Sequence, residues 1–250
     1  MNVNYVYNTG RRGLCSELNN LHGFYEDIIN KDCRAYIDAS SSQYFKIVSI
    51  YDVFKFPNVF IDAPQPNSTI VTGRPWIKAA QTGYTTKLTT QQCAELFCYT
   101  DKFQEKINKN IDKLSIPSKY NCFHIRRGDK VGEKKTGEIE AKKYNFKEYL
   151  TQSDRKIKTI FIMSDDHSCI LEAQEHGYNI KTLTTKDQTG HSTHTDWDHD
   201  RSYLLDELIQ FFSEIEIAKQ SQQFIGTKSS NIFRYIKNQC VNDVEFISLD

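Results

Sequence analysis

Apolar residues along this chain follow two spacings, one typical of buried strands and the other typical of helices. Thr159–Met163 is a continuous apolar run, as expected for a strand covered on both faces. Tyr203–Lys219 instead carries its leucine, isoleucine and phenylalanine residues at helical spacing. Segments of the two kinds follow one another, which predicts an α/β fold with parallel strands. The other predicted strands lie at 2–7, 34–39, 58–61, 68–72, 120–125, 180–183, 223–226 and 244–247, and the other predicted helices at 14–28, 89–114 with a break at 100–101, 146–151, 168–176 and 231–238.

Pro117-Ser118 is the best candidate for a domain boundary, because the alternation of strands and helices is clearer after it. We therefore predict two α/β domains, residues 1–117 and residues 118–250. Parallel strands joined by helices place a ligand at their carboxyl ends. A cleft between two such halves is a usual place for a functional site.

The composition excludes several classes of protein. Lys and Arg total 32 and Asp and Glu total 32 in 250 residues, so the formal net charge is zero. This balance argues against a protein that binds nucleic acid or anionic membrane through a basic face, but it leaves room for one local anion site. No apolar window reaches the roughly 18 residues that span a bilayer, and the N-terminus lacks the basic and apolar regions of a signal peptide. Seven scattered cysteines without a CxxC pair predict free thiols in a reducing compartment.

The most informative stretch is a basic turn at the end of the predicted strand 120–125, where residues 124–130 read His-Ile-Arg-Arg-Gly-Asp-Lys. The adjacent guanidinium groups of Arg126 and Arg127 repel each other, and a bound polyanion would offset that repulsion through bidentate hydrogen bonds. Because arginine stays charged, the pair could neutralise a diphosphate leaving group without a metal. A solvated surface pair with Asp129 as its partner is the alternative. The GxGxxG, GxxxxGKS/T, GxSxG and HExxH signatures of other enzyme families do not occur.

Residues 124–132, His-Ile-Arg-Arg-Gly-Asp-Lys-Val-Gly, resemble the first peptide motif of the GDP-fucose fucosyltransferases, and most of all that of the α1,6-fucosyltransferases. The likeness continues in Glu140-Ala141 and in Glu148-Tyr149 seven residues on, with 133–139 as a short insertion. The resemblance implies an inverting transfer of L-fucose from GDP-β-L-fucose to a glycan hydroxyl. It also implies a GT-B-like fold of two Rossmann-like domains facing across a cleft, with the acceptor side in 1–117 and the nucleotide sugar in 118–250.

The resemblance implies a division of catalytic roles around this turn. Glu140 is the expected general base, and Glu133 is the alternative because the insertion leaves the alignment open. Arg126 stabilises the leaving phosphate together with its neighbour in sequence, and Lys130 and Asp129 orient these groups. The resemblance implies that no metal or other cofactor is required.

Three later stretches match the same family in the same order. Ser164-Asp165-Asp166 follows a strand, where two carboxylates otherwise serve as caps or turn formers. Glu214 falls where the family reads guanine, and Asp206 is its rival. Residues 224–234 resemble a Thr-x-Ser-Ser-x-x-x-Arg motif whose serine hydroxyls and free backbone N–H groups suit a phosphate, although an ordinary N-cap is the alternative. The donor-binding set implied by the resemblance is His124, Arg126, Arg127, Tyr149, Asp165, Asp166, Glu214, Ser229, Ser230 and, from a weaker match at 8–18, Gly10.

A His/Asp-rich segment, residues 191–201, leaves several hypotheses open. Its residue types could bind a metal. A mobile polar loop and a lid that closes over donor or acceptor are the other hypotheses.

The expected partners are a nucleotide-sugar donor and a glycan acceptor, without nucleic acid. A transferase of the same fold that uses another nucleotide sugar, and a non-catalytic carbohydrate-binding module, are the alternative functions. Without a signal peptide or membrane anchor, the expected location is the cytoplasm, in a bacterial or viral setting.

Overall fold

The computed structural model describes residues 4–8, 13–66, 68–72, 87–128, 131, 134–135, 138–139, 142–190 and 201–250. The chain divides into two compact units, Met1–Glu105 with Trp197–Leu208 and Lys106–Asp196 with Ile209–Asp250. The domain limits at residues 117 and 118 stay a prediction.

The first unit is built on a three-stranded parallel sheet. In chain order its elements are β1 (Asn4–Asn8), α1 (Leu14–Lys31), β2 (Arg34–Asp38), α2 (Ile50–Val53), β3 (Phe54–Lys55), β4 (Thr69–Thr72), α3 (Thr90–Leu96), β5 (Cys98–Tyr99), the start of α4 (Asp101–Asp112) and, much later in the chain, the start of the helix Arg201–Ala218. The sheet has the order β2-β1-β4, and β3 and β5 form a separate antiparallel pair. Helix α1 forms because Leu18, Leu21 and Ile28 recur on one face, where each is at most 1% exposed.

The second unit is built on a five-stranded parallel sheet. Its elements are the end of α4, β6 (Asn121–Ile125), β7 (Lys134–Lys135), β8 (Glu138–Ile139), α5 (Phe146–Gln152), β9 (Thr159–Ser164), α6 (Ser168–Gln174), β10 (Asn179–Thr182), the end of α7 (Arg201–Ala218), β11 (Gln223–Gly226), α8 (Asn231–Gln239) and β12 (Glu245–Ser248). Every residue of β6 and of β9 is buried, and for β9 the continuous apolar run predicts this burial.

The strand order of this sheet creates a place for a ligand. The order is β10-β9-β6-β11-β12, and all neighbours are parallel. From β6 the chain builds outward through β9 and β10 on one side, and through β11 and β12 on the other. The connections after β6 and β11 therefore leave in opposite directions, and in open parallel sheets such a reversal is the usual place for a ligand, at the carboxyl ends of the two strands.

The predicted elements are largely confirmed, with end points that differ by at most three residues, and residues 2–3 of the first predicted strand lie outside the described residues. The predicted strand at 58–61 is wrong, since Phe60 makes only an isolated parallel bridge to Ala35. The two-residue strands and the four-residue helix α2 were not predicted, because elements this short have no periodicity to detect.

All seven cysteines are free, and five of them are buried. Among the helices that the structure describes, none combines the length and the apolar character needed to cross a lipid bilayer.

Candidate active site

Predicted site residues come together at the carboxyl edge of the five-stranded sheet. His124 is the last residue but one of β6, and Arg126 and Arg127 follow that strand directly. Asp165 follows β9, and Ser229 and Ser230 lie between β11 and α8. Because all these strands are parallel and adjacent, residues far apart in sequence lie at one edge.

His124 is a buried residue at the centre of this edge. Its ring stacks on that of Phe224, with centroids 6.4 Å apart and 12° between the planes. The hydroxyl of Tyr149 donates to the His124 carbonyl at 2.9 Å. Gly226 of β11 permits this packing, since a Cβ there would lie 3.4 Å from His124 Cβ and 3.1 Å from Phe233 Cδ2. The His124 Nδ1 atom is buried and has no hydrogen-bond partner in the described part of the chain.

Burial lowers the pKa of His124 to about 3, and the positive charge of Arg126 acts in the same direction. The imidazole is therefore neutral at physiological pH. A neutral imidazole can donate from one nitrogen and accept at the other.

Because His124 stays neutral in the folded protein, we predict that the protein loses stability in mild acid. In the unfolded chain His124 takes up a proton below its ordinary pKa of 6.5, whereas the folded protein keeps it neutral until pH approaches 3. Its contribution to stability is thus complete above pH 6.5 and is lost as the pH falls. Between pH 7.5 and 5 the wild type should lose about 2 kcal/mol more free energy of unfolding than His124→Gln. Urea denaturation at several pH values measures this difference, and parallel curves for the two proteins would contradict it.

Asp165 and Asp166 have separate tasks. The two carboxylate oxygens of Asp165 accept from the backbone N–H groups of Arg127 at 2.8 Å and of Gly128 at 2.9 Å. Asp165 thereby holds the basic turn in place. Asp166 instead accepts from the backbone N–H of Ser168 at 2.7 Å, at the start of α6. One carboxylate therefore supports the basic turn, and its neighbour stabilises a local turn just before His167, the N-cap of α6.

Arg127 is directed into the protein. Its side chain is 5% exposed and donates to Glu172 Oε2 at 3.1 Å and to the Tyr144 carbonyl at 2.5 Å. These contacts occupy the two terminal nitrogens that the sequence prediction assigned to a diphosphate.

Two glycines meet behind the basic turn. Gly190 has φ +106°, and a Cβ on it would lie 3.3 Å from the Cα of Gly128. The Gly190 N–H also donates to the carbonyl of Asp165 at 2.8 Å. Only glycine fits both the backbone conformation and the close approach.

Gly190→Ala is expected to destabilise the protein by about 2–3 kcal/mol, because it strains the backbone and pushes against the turn. The matched control is Gly177→Ala, where φ is +72° but nothing lies within 4 Å of the new Cβ. The control should lose only about 1 kcal/mol, the cost of the backbone conformation alone. Equal losses for the two variants in urea denaturation would show that the contact with Gly128 is unimportant.

The start of α8 differs from the sequence expectation. Ser230 is the N-cap, 3% exposed, and its hydroxyl accepts from the Ile232 N–H at 3.2 Å. The expectation of free backbone N–H groups is wrong for Lys228 and Ser229, which donate to the Asp250 carboxylate at 2.7 and 3.3 Å. Partial burial alone would raise the pKa of Asp250, but these and other hydrogen bonds hold it below its usual value.

The two candidates for guanine recognition lie in different environments on α7. Glu214 belongs to the second unit and is 5% exposed. Burial raises the pKa of the Cys122 thiol on β6, and the nearby Glu214 charge raises it further. Asp206 belongs to the first unit and is exposed. Glu214 is thus the candidate beside the strand that carries His124.

Several predicted site residues lie outside the described residues. They are Gly10, Asp129, Lys130, Glu133, Glu140 and the segment 191–200. Within the described ranges, no group of three or more His, Cys, Asp and Glu residues is placed to hold a metal ion.

Comparisons with known proteins give structural matches only. No protein-family model and no curated protein sequence matches the chain. The chain is similar to the structure of NodZ α1,6-fucosyltransferase soaked with GDP-fucose. The two chains align at 8% identity with a TM-score of 0.59, over 96% of this chain and 93% of that one. A structure of NodZ from Bradyrhizobium aligns with a TM-score of 0.58. It is also similar to POFUT1 in complex with GDP, at 10% identity and a TM-score of 0.54 over 99% of each chain. A variant of Arabidopsis thaliana FUT1 in complex with GDP aligns at 8% identity and a TM-score of 0.57, over 98% of this chain and 70% of that one. The protein therefore has the fold of these fucosyltransferase structures, which confirms the α/β, GT-B-like fold class expected from the sequence.

Proposed function

We propose that the protein is an inverting fucosyltransferase that moves L-fucose from GDP-β-L-fucose to a hydroxyl group of a glycan. The observation that carries this proposal is the position of the basic turn. Arg126 and His124 lie at the carboxyl end of β6, beside the point where the strand order reverses. Anionic ligands of such sheets bind at this point. Similar structures were determined with GDP-fucose or GDP, which supports a guanine nucleotide as the ligand.

In this proposal the protein binds the donor both at its diphosphate and at its guanine base. Arg126 carries the positive charge for the diphosphate and stabilises the negative charge that grows as the phosphate leaves. The neutral His124 offers a hydrogen bond from its buried ring, and Ser229 and Ser230 offer hydroxyl groups at the start of α8. The Glu214 carboxylate can accept from both N1–H and the exocyclic amine of guanine.

The acceptor is activated from the opposite face of the sugar. Glu140 takes the proton from the acceptor hydroxyl as that oxygen attacks the anomeric carbon. A single displacement with one base inverts the configuration at that carbon, as in inverting glycosidases. Lys130 and Asp129 orient the reacting groups.

A nucleotide screen tests this function directly. GDP is expected to raise the melting temperature of the protein more than UDP or CDP at equal concentration, because binding to the folded state stabilises it. The second step measures fucose release from GDP-fucose with and without a mixture of glycans. A larger shift with UDP or CDP would point to another nucleotide sugar, and GDP binding without hydrolysis or transfer would indicate a binding module without catalysis.

A further inference from the structure

The side chain of Arg127 in the basic turn is hydrogen-bonded within the protein. Its guanidinium group is buried and has a carboxylate and a carbonyl as acceptors, in Glu172 and Tyr144. The carboxylate neutralises its charge, so a diphosphate is not needed to offset the repulsion between Arg126 and Arg127. A buried charge that is paired and hydrogen-bonded in this way would lose more than it gains by turning toward a ligand.

The contacts of Arg127 connect the two ends of a chain segment. Arg127 precedes residues 128–143 and Tyr144 follows them, so the bond from the guanidinium to the Tyr144 carbonyl joins the two ends. Glu172 strengthens the closure, because its second oxygen accepts from the Phe146 N–H at 2.7 Å, at the start of α5. Tyr144 is fixed independently, since its hydroxyl donates to the Leu249 carbonyl at 2.9 Å.

The closed segment contains both candidates for the general base, Glu133 and Glu140. A general base acts only within hydrogen-bond reach of the proton it removes. Small displacements of such a group lower the rate of the chemical step strongly, even when the substrate still binds. A contact that joins the two ends of this stretch of sequence is therefore placed to influence the position of the base.

We infer that Arg127 and Glu172 form a clasp that positions the segment 128–143, and that Arg126 alone of the two arginines contacts the donor phosphates. This inference rests on the proposed function, and it makes Arg127 and Glu172 positioning residues. It gives the adjacent arginines different tasks, one toward the ligand and one toward the protein.

The test uses Glu172→Gln, which keeps an oxygen for the Phe146 N–H but turns an amide toward the guanidinium. Glu175→Gln is the matched control, because this exposed residue follows the same helix and loses the same charge. Arg127→Lys is the second variant, since lysine keeps the charge but cannot reach both acceptors as a planar fork.

Nucleotide binding distinguishes a clasp from a phosphate contact. Calorimetric titration with GDP and with GMP gives the affinity gained from the second phosphate. We expect Glu172→Gln and Arg127→Lys to keep this GDP/GMP ratio within about two-fold of the wild type, whereas kcat falls at least about ten-fold and the donor KM changes little. The control should match the wild type in all three quantities. A collapse of the ratio in Arg127→Lys, or an unchanged kcat in Glu172→Gln, would overturn the inference.

A second readout does not depend on the ligand. The clasp restrains residues 144–146, so Glu172→Gln should speed hydrogen exchange of their amides by about ten-fold or more, while Glu175→Gln should not. Unchanged exchange would reject the clasp. If the wild type binds no GDP but exchange responds as expected, then the proposed function fails and the clasp stands.

Discussion

Arg126→Ala is expected to lower fucosyl transfer by about 1,000-fold or more while leaving the fold intact. The side chain follows β6 at the point where the strand order reverses, and its charge reaches His124. In the proposed mechanism it is the fixed positive charge beside the leaving diphosphate. A charge held beside the place where negative charge develops lowers the barrier of the reaction, and its loss therefore raises that barrier strongly.

The measurement is initial-rate transfer from GDP-fucose, together with calorimetric titration of GDP and GMP. Arg155→Ala is the matched control, because this exposed arginine lies in the same unit, in the connection between α5 and β9 at the opposite edge of the sheet. The control should retain wild-type rates and affinities. Wild-type turnover by Arg126→Ala would remove the basis of the proposed donor site.

Glu140→Gln is expected to retain GDP binding and to lower turnover by roughly 100- to 10,000-fold, the range for loss of a general base. The amide keeps the size of the side chain but cannot accept a proton from the acceptor hydroxyl. Binding of the nucleotide should be unaffected, since the base acts on the acceptor from the face opposite the diphosphate. Single-turnover kinetics with saturating donor separates this effect from a change in affinity.

Glu133→Gln is the matched control for the base, because it removes the same charge from the same segment. It should retain most of the wild-type turnover. The opposite result, with Glu133→Gln inactive and Glu140→Gln active, would transfer the role to Glu133 and show that the insertion lies after the base. Two active variants would refute both candidates for the general base.

Much of the fold was predictable because buried strands and helices have characteristic spacings of apolar residues in the local sequence. The apolar run 159–163 is typical of a strand covered on both faces, and it forms the fully buried β9. The predicted strand at 58–61 failed because pairing depends on a partner along the whole length, and only Phe60 has one. The shortest elements, such as β3 and β5, exist through pairing with each other rather than through any pattern of their own.

The site was predictable only in part. The basic turn, Asp165 and Ser230 stand out in sequence because they follow predicted strands or begin a predicted helix. Glu172 carries no such signal, since it lies inside a helix and meets Arg127 across 45 residues of chain. Asp250 likewise reaches the start of α8 only through the pairing of β11 with β12.

The sequence by itself determined that this chain alternates buried strands with helices and that a basic turn ends the strand 121–125. Those features depend on local apolar spacing and on the residues next to one another in the chain. Only the tertiary structure decided the strand order that brings the ends of β6 and β11 together, and only it showed that Arg127 contacts Glu172 and the Tyr144 carbonyl. Two neighbouring arginines are alike in sequence, and packing differentiates them because the partly exposed carboxylate of Glu172, far away in the chain, accepts a hydrogen bond from the buried side chain of Arg127 and pairs with its charge.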